Sequence, residues 1–109
     1  MIRALNGTDL GVVRNENHAV CEWKGDGRVV FSFCCHGNAI SAHFAAEKAA
    51  LRKLSVAIES FCDWIFNHFR WCELIMANVE RRSVKKLIER CGFEFLKEGS
   101  ESSVYMRNR

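Results

Sequence analysis

Between residues 19 and 45 three short, mostly apolar runs are separated by turn signals, the pattern of consecutive strands. Residues 19–23 and 28–34 carry the β-branched and aromatic side chains that suit a pleated sheet. Lys24-Gly25-Asp26-Gly27 lies between them and contains the Asp-Gly pair of a tight hairpin. Gly37-Asn38 marks a second turn, and AISAHFA, residues 39–45, follows as the next strand of a meander. Alternation puts Ile40, Ala42 and Phe44 on one side of it and Ser41 and His43 on the other. The period then changes. Leu51, Leu54, Ile58, Phe61, Ile65 and Phe69 recur at spacings of three and four, which predicts one amphipathic helix over residues 47–69. Residues 72–79 are mostly apolar, as expected of a strand buried on both faces. Helical spacing returns over residues 83–91, with Val84, Leu87, Ile88 and Cys91 inward, Ser83 placed to cap the start and Gly92 to end the helix. Residues 94–97 and 104–107 predict a final hairpin around Gly99-Ser100. At the other end, residues 2–4 suit a short strand, Asn6-Gly7 a turn and residues 9–16 a short helix.

This order predicts an α+β class: one small domain over residues 1–109, with a mixed, mostly antiparallel twisted sheet flanked by helices. The helix after the meander is the crossover into a parallel neighbouring strand, and such crossovers are right-handed. A chain of 109 residues suffices for one modest core.

Composition narrows the class further. No apolar run reaches the roughly 18 residues that spanning a membrane takes, and the N-terminus lacks the basic-then-apolar layout of a signal peptide. A cytoplasmic protein is expected, its six cysteines thiols rather than disulfides. The net charge of +3 is too mild to argue for nucleic acid. The basic segment Arg81, Arg82, Lys85, Lys86, Arg90 has only Phe93 and Phe95 nearby, both expected to be buried, so stacking platforms for bases are missing. Cys34, Cys35, His36 and His43 invite a metal reading, but neighbours on a strand point to opposite faces. Only Cys34 and His36 can share one, short of the four ligands of structural zinc; no metal is expected.

Three segments carry a resemblance. MIRALNGTDL at the start, NAISAHFA in the meander and SVKKLIERCGFEF near the end resemble the first strand, the fourth strand and the closing helix-Gly-Phe-strand of GNAT-type N-acetyltransferases. The comparison is closest with very short acetyltransferase-like proteins of tailed bacteriophages. The resemblance implies an acyl-CoA N-acyltransferase fold that uses acetyl-CoA and acetylates an amine, including an amine on a protein. It implies that the coenzyme lies where the strands of residues 39–45 and 72–79 splay apart. Phe44, Ala45 and Ala46 would then hold the pantetheine arm, with the pyrophosphate at the start of the following helix, near Ala46, Lys48, Ala49, Arg52 and Lys53. A helix start favours anions through its unpaired N–H groups. His43, at the end of the fourth strand, is the candidate base, and histidine titrates in the range that amine deprotonation needs. The alternative role for His43 is a surface or hydrogen-bonded histidine, and for Lys48, Arg52 and Lys53 a solvated basic face.

The chain departs from the family pattern in three places. AAEKAALRKL has no glycine where the family carries a glycine-rich phosphate loop. Ile88 stands where a tyrosine often protonates the leaving thiolate, and Arg81 where an asparagine often precedes the second helix. These departures support an alternative: a catalytically reduced accessory protein that binds a host or virion protein.

Overall fold

The computed structural model describes residues 2–5, 19–100 and 102–109. The short helix expected over residues 9–16 lies outside them. Strands β1 (Ile2–Leu5), β2 (Ala19–Lys24), β3 (Arg28–His36) and β4 (Ala39–Ala46) form an antiparallel meander. A six-residue 3-10 segment, Lys48–Lys53, leads into helix α1 (Leu54–His68) and then β5 (Leu74–Val79). Helix α2 (Arg82–Arg90) and the hairpin β6 (Glu94–Glu98) and β7 (Ser103–Asn108) complete one sheet of order β1-β2-β3-β4-β5-β7-β6. Among the described strands only β4 and β5 pair in parallel, joined by the expected crossover.

Both helices cover the sheet face that carries Trp23, Phe31, Phe33, Ile40, Ala42, Ile75 and Tyr105. Helix α1 contributes Leu54, Ala57, Ile58, Phe61, Cys62 and Ile65 to that core, and α2 contributes Ile88. The other face buries Val20 and Val30, with Glu22 and Ser32 beside them; Arg28 reaches the Glu22 carboxylate at 3.5 Å.

The turn chemistry matches the pattern. Gly37 has φ 61° and Gly92 φ 91°, the left-handed region that glycine enters without penalty. After Gly92 the chain folds back: its own N–H donates to Glu89 O at 3.2 Å and the Phe93 N–H to Ile88 O at 3.1 Å, closing α2 in a Schellman motif.

Four expectations need correction. The helix over residues 47–69 is not α throughout, because its first two turns are 3-10. Glu47 supplies no side-chain cap; its carboxylate accepts the Arg28 N–H at 2.7 Å. The hairpin tip also crowds this segment, since a Cβ on Gly27 would meet the backbone N of Ala50 at 2.5 Å. Second, Ser83 does not cap α2: the cap position is Arg81, again without a side-chain bond. Third, β5 buries only one face. Ile75 and Val79 are buried, whereas Leu74 and Met76 are half-covered and Asn78 is exposed. Fourth, Phe93 is buried but Phe95, on edge strand β6, is 52% exposed. That edge is guarded by Glu94, Lys97 and Glu98.

The thiols divide cleanly. Cys21, Cys62, Cys72 and Cys91 are buried, Cys35 is exposed and Cys34 half-exposed. Burial pushes the Cys21 and Cys62 thiols up to about 12 from the ordinary 9.0; at Cys62 the neighbouring Arg107 opposes the shift. Above about pH 9 the unfolded chain releases these protons while the folded chain keeps them. Their contribution to stability is therefore complete below pH 9 and is lost as the pH climbs toward 12. Denaturant midpoints followed across this range should be level to about pH 8.5 and fall beyond it. A native-state thiol titration should count Cys34 and Cys35 and spare Cys21 and Cys62 until the chain unfolds.

Candidate functional site

The site begins with an interruption in the sheet. Strands β4 and β5 pair at Ala39↔Leu74, Ile40↔Ile75, Ser41↔Met76 and Ala42↔Ala77, and there the pairing stops. Both strands continue. β4 stays on β3 as far as Ala46, opposite Val29, and β5 stays on β7 as far as Val79, opposite Ser103. Each is held on its outer side, so the two part like a wedge, leaving His43–Ala46 and Asn78–Val79 to face the gap with unshared backbone groups. An unpaired strand edge offers N–H and C=O groups to an extended ligand.

A cleft of about 550 Å³ opens at this wedge. His43, Phe44, Ala45 and Ala46 form one side, and Asn78, Val79, Glu80 and Arg81 the other. Leu51 and Leu54, from the 3-10 segment and the first residue of α1, and Val84 of α2 close the helix side, with Ser102 at the rim. A second, apolar cavity of about 120 Å³ lies between the sheet and the helices and shares His43, Phe44, Asn78 and Val79 with the cleft.

Four of the sequence-predicted site residues, His43, Phe44, Ala45 and Ala46, therefore meet at the cleft. Lys48, Ala49, Arg52 and Lys53 do not line it; they are exposed on the same 3-10 segment whose Leu51 does. Lys53 Nζ stands 3.5 Å from the Asp26 carboxylate at the hairpin tip. Within the 3-10 segment the first bond is Ala50 N–H to Glu47 O at 2.9 Å, so the N–H groups of Lys48 and Ala49 have no partner inside it.

By alternation His43 and Asn78 occupy matching positions one step past the last β4–β5 pair, on the face away from the helices. Both are exposed there. Asn78 was legible in principle as the polar residue that breaks the apolar run LIMANV. Arg81 and Glu80 follow the same strand directly. Leu51 is 55% exposed although it belongs to the amphipathic stripe, because the stripe runs off the sheet at the wedge.

Among the described residues no three His, Cys, Asp or Glu side chains gather to hold a metal ion. Cys34 and His36 do share a face, with Sγ 3.2 Å from Nε2, but as a pair alone. No helix among the described residues is long and apolar enough to cross a membrane.

The element order and the parted strands define the acyl-CoA N-acyltransferase (GNAT) fold. Solved structures agree. The chain superposes on the N-acetyltransferase PseH of Campylobacter jejuni with a TM-score of 0.70 at 12% identity, covering 87% of this chain and 70% of that one. The aminoglycoside acetyltransferase AAC(6')-Ib, in complex with coenzyme A, gives 0.69 at 11% identity, covering 86% of this chain and 68% of that one. A chimera of the spermidine N-acetyltransferase SpeG of Vibrio cholerae gives 0.65 at 12% identity, covering 86% and 71%. No family model and no curated protein matches the sequence.

Proposed function

We propose that the protein is an acetyl-CoA-dependent N-acetyltransferase acting on an amine, in a cytoplasmic setting. The observation that carries this reading is the wedge between β4 and β5, opening into a cleft of about 550 Å³. Similar folds have been solved with acetyl coenzyme A and with coenzyme A bound, PseH and AAC(6')-Ib respectively.

In this reading the pantetheine arm pairs with the free backbone of His43–Ala46. The pyrophosphate lies at the cleft mouth near Ala46, the Lys48 and Ala49 N–H groups and the cations Lys48, Arg52 and Arg81; Lys53 stands further out, with Asp26. The amine approaches the thioester from the face that carries His43 and Asn78. His43, directly or through water, takes a proton from the ammonium. The freed nitrogen attacks the thioester carbonyl, and β4 N–H groups stabilise the oxyanion. The attacking nitrogen gives up its second proton to solvent, and collapse of the tetrahedral intermediate breaks the C–S bond and releases the CoA thiolate. Ile88 cannot protonate that thiolate, so solvent reaching the open cleft does.

Calorimetry and thermal unfolding with acetyl-CoA test the reading. At about 100 times its Kd, a ligand specific for the folded state stabilises it by about 2.7 kcal/mol. Lys48→Glu, Arg52→Glu and Arg81→Glu are each expected to weaken coenzyme binding, least at high salt, where exposed charges are screened. Unchanged affinity in all three would remove the phosphate assignment.

A second reading is a binding protein without catalysis, whose partner is a host or virion protein. It is favoured by the exposed Trp71, 45% open, and by Phe95 and Leu96 on edge strand β6, 52% and 45% open. Absence of any coenzyme-induced shift at millimolar concentration would favour it over the first.

A further inference from the structure

We infer that the acyl site is built for a donor longer than acetyl, a short-chain acyl thioester of about four carbons; this rests on the coenzyme reading above. The last residue pair before β4 and β5 part is Ala42↔Ala77. Both are alanines on the helix side of the sheet, at the crotch of the wedge. Their small side chains leave the cavity of about 120 Å³ directly beneath the gap. Its deeper wall is Ile58 and Phe61 of α1, Ile88 of α2 and Phe93. None of those four can hydrogen-bond water through its side chain.

A water molecule needs at least ~10–15 Å³ of such volume and two or more polar partners. This cavity has several times the volume, but its depth supplies no polar side chain. An apolar cavity of about 150 Å³ stays dry and accepts a benzene ring. By that measure 120 Å³, part of it at the mouth shared with His43 and Asn78, accepts at most about five carbon-sized atoms. An acetyl methyl is a single one and leaves most of the space empty, whereas the propyl group of a butyryl thioester fills much of it. The mouth is shared with the cleft through His43, Phe44, Asn78 and Val79, so a chain entering the cavity keeps its carbonyl at the unpaired β4 backbone.

The test is a calorimetric series on the full chain with CoA, acetyl-CoA, butyryl-CoA, hexanoyl-CoA and decanoyl-CoA. Each buried methylene tightens binding about fourfold. Butyryl-CoA is therefore expected to bind about 15-fold tighter than acetyl-CoA, and decanoyl-CoA to lose that gain because the chain outgrows the cavity. In Ala77→Leu, which fills the space, the butyryl-to-acetyl affinity ratio should fall toward one. Acetyl-CoA and butyryl-CoA binding equally well would overturn the acyl pocket and leave the coenzyme reading intact. Failure of every thioester and of CoA itself would overturn the coenzyme reading, and the pocket with it. The series needs no variant, so a folding defect in Ala77→Leu leaves it decisive.

Discussion

His43→Ala is expected to lower the acyl-transfer rate at neutral pH by a hundredfold to ten-thousandfold, the usual worth of a positioned general base. His43 is the first residue of β4 beyond the last pair with β5 and is exposed on the face away from the helices; in the proposed reading its backbone would border the thioester and its side chain would meet the amine. Coenzyme affinity should change little, since the imidazole is not among the groups proposed to hold the phosphates. The deficit should also shrink as the pH approaches the amine's own pKa, where the acceptor arrives already deprotonated. Release of CoA thiol, followed in both proteins across pH 6–10, distinguishes a lost base from a disturbed fold: a disturbed fold gives a deficit that does not vary with pH. Full activity in the variant at neutral pH would eliminate His43 as the base.

Phe61→Ala is expected to cost about 3–5 kcal/mol, among the largest effects of any single truncation. Phe61 is buried at the centre of the helix-covered face. Its ring stacks on Phe31 with centroids 4.3 Å apart and planes within 7°, and meets Phe33 edge-on at 5.8 Å. Such pairs add to plain area burial. Phe61 also borders the apolar cavity, so truncation enlarges a space that already exists, and the neighbours have little freedom to collapse into it. Against a total of about 5–15 kcal/mol for an ordinary domain, the loss consumes about a fifth of the stability or more. Urea unfolding of the variant measures it; a loss under 1 kcal/mol would show that the aromatic stack is not the anchor described.

Much of the architecture was legible because local chemistry and global topology agree. Asp26-Gly27 and Gly37 allow one turn each, and Gly92 permits one way of ending a helix. The stripe from Leu54 to Ile65 specifies a helix lying across the sheet. What escaped the sequence has a common cause: it depends on what a segment meets. The 3-10 start at Lys48–Lys53 follows from Glu47 being engaged by Arg28 and from the close approach of Gly27. The one-sided burial of β5 and the exposure of Phe95 follow from which faces the helices cover. At the site, His43–Ala46 could be placed because one strand supplies them. Asn78 and Arg81 join them through a gap between two strands, and a gap is an absence of pairing that no residue encodes alone.

That gap has a mechanical side. Four residue pairs join β4 to β5, against eight between β3 and β4 and six between β5 and β7. The sheet is two plates stitched along a short seam, and the seam ends where the cleft begins. A molecule spanning the wedge would act as extra stitches, holding the plates together while it is bound. Pulling experiments on the chain should then find the rupture force raised by occupancy of the cleft, making cohesion of the whole sheet a direct gauge of what the cleft contains.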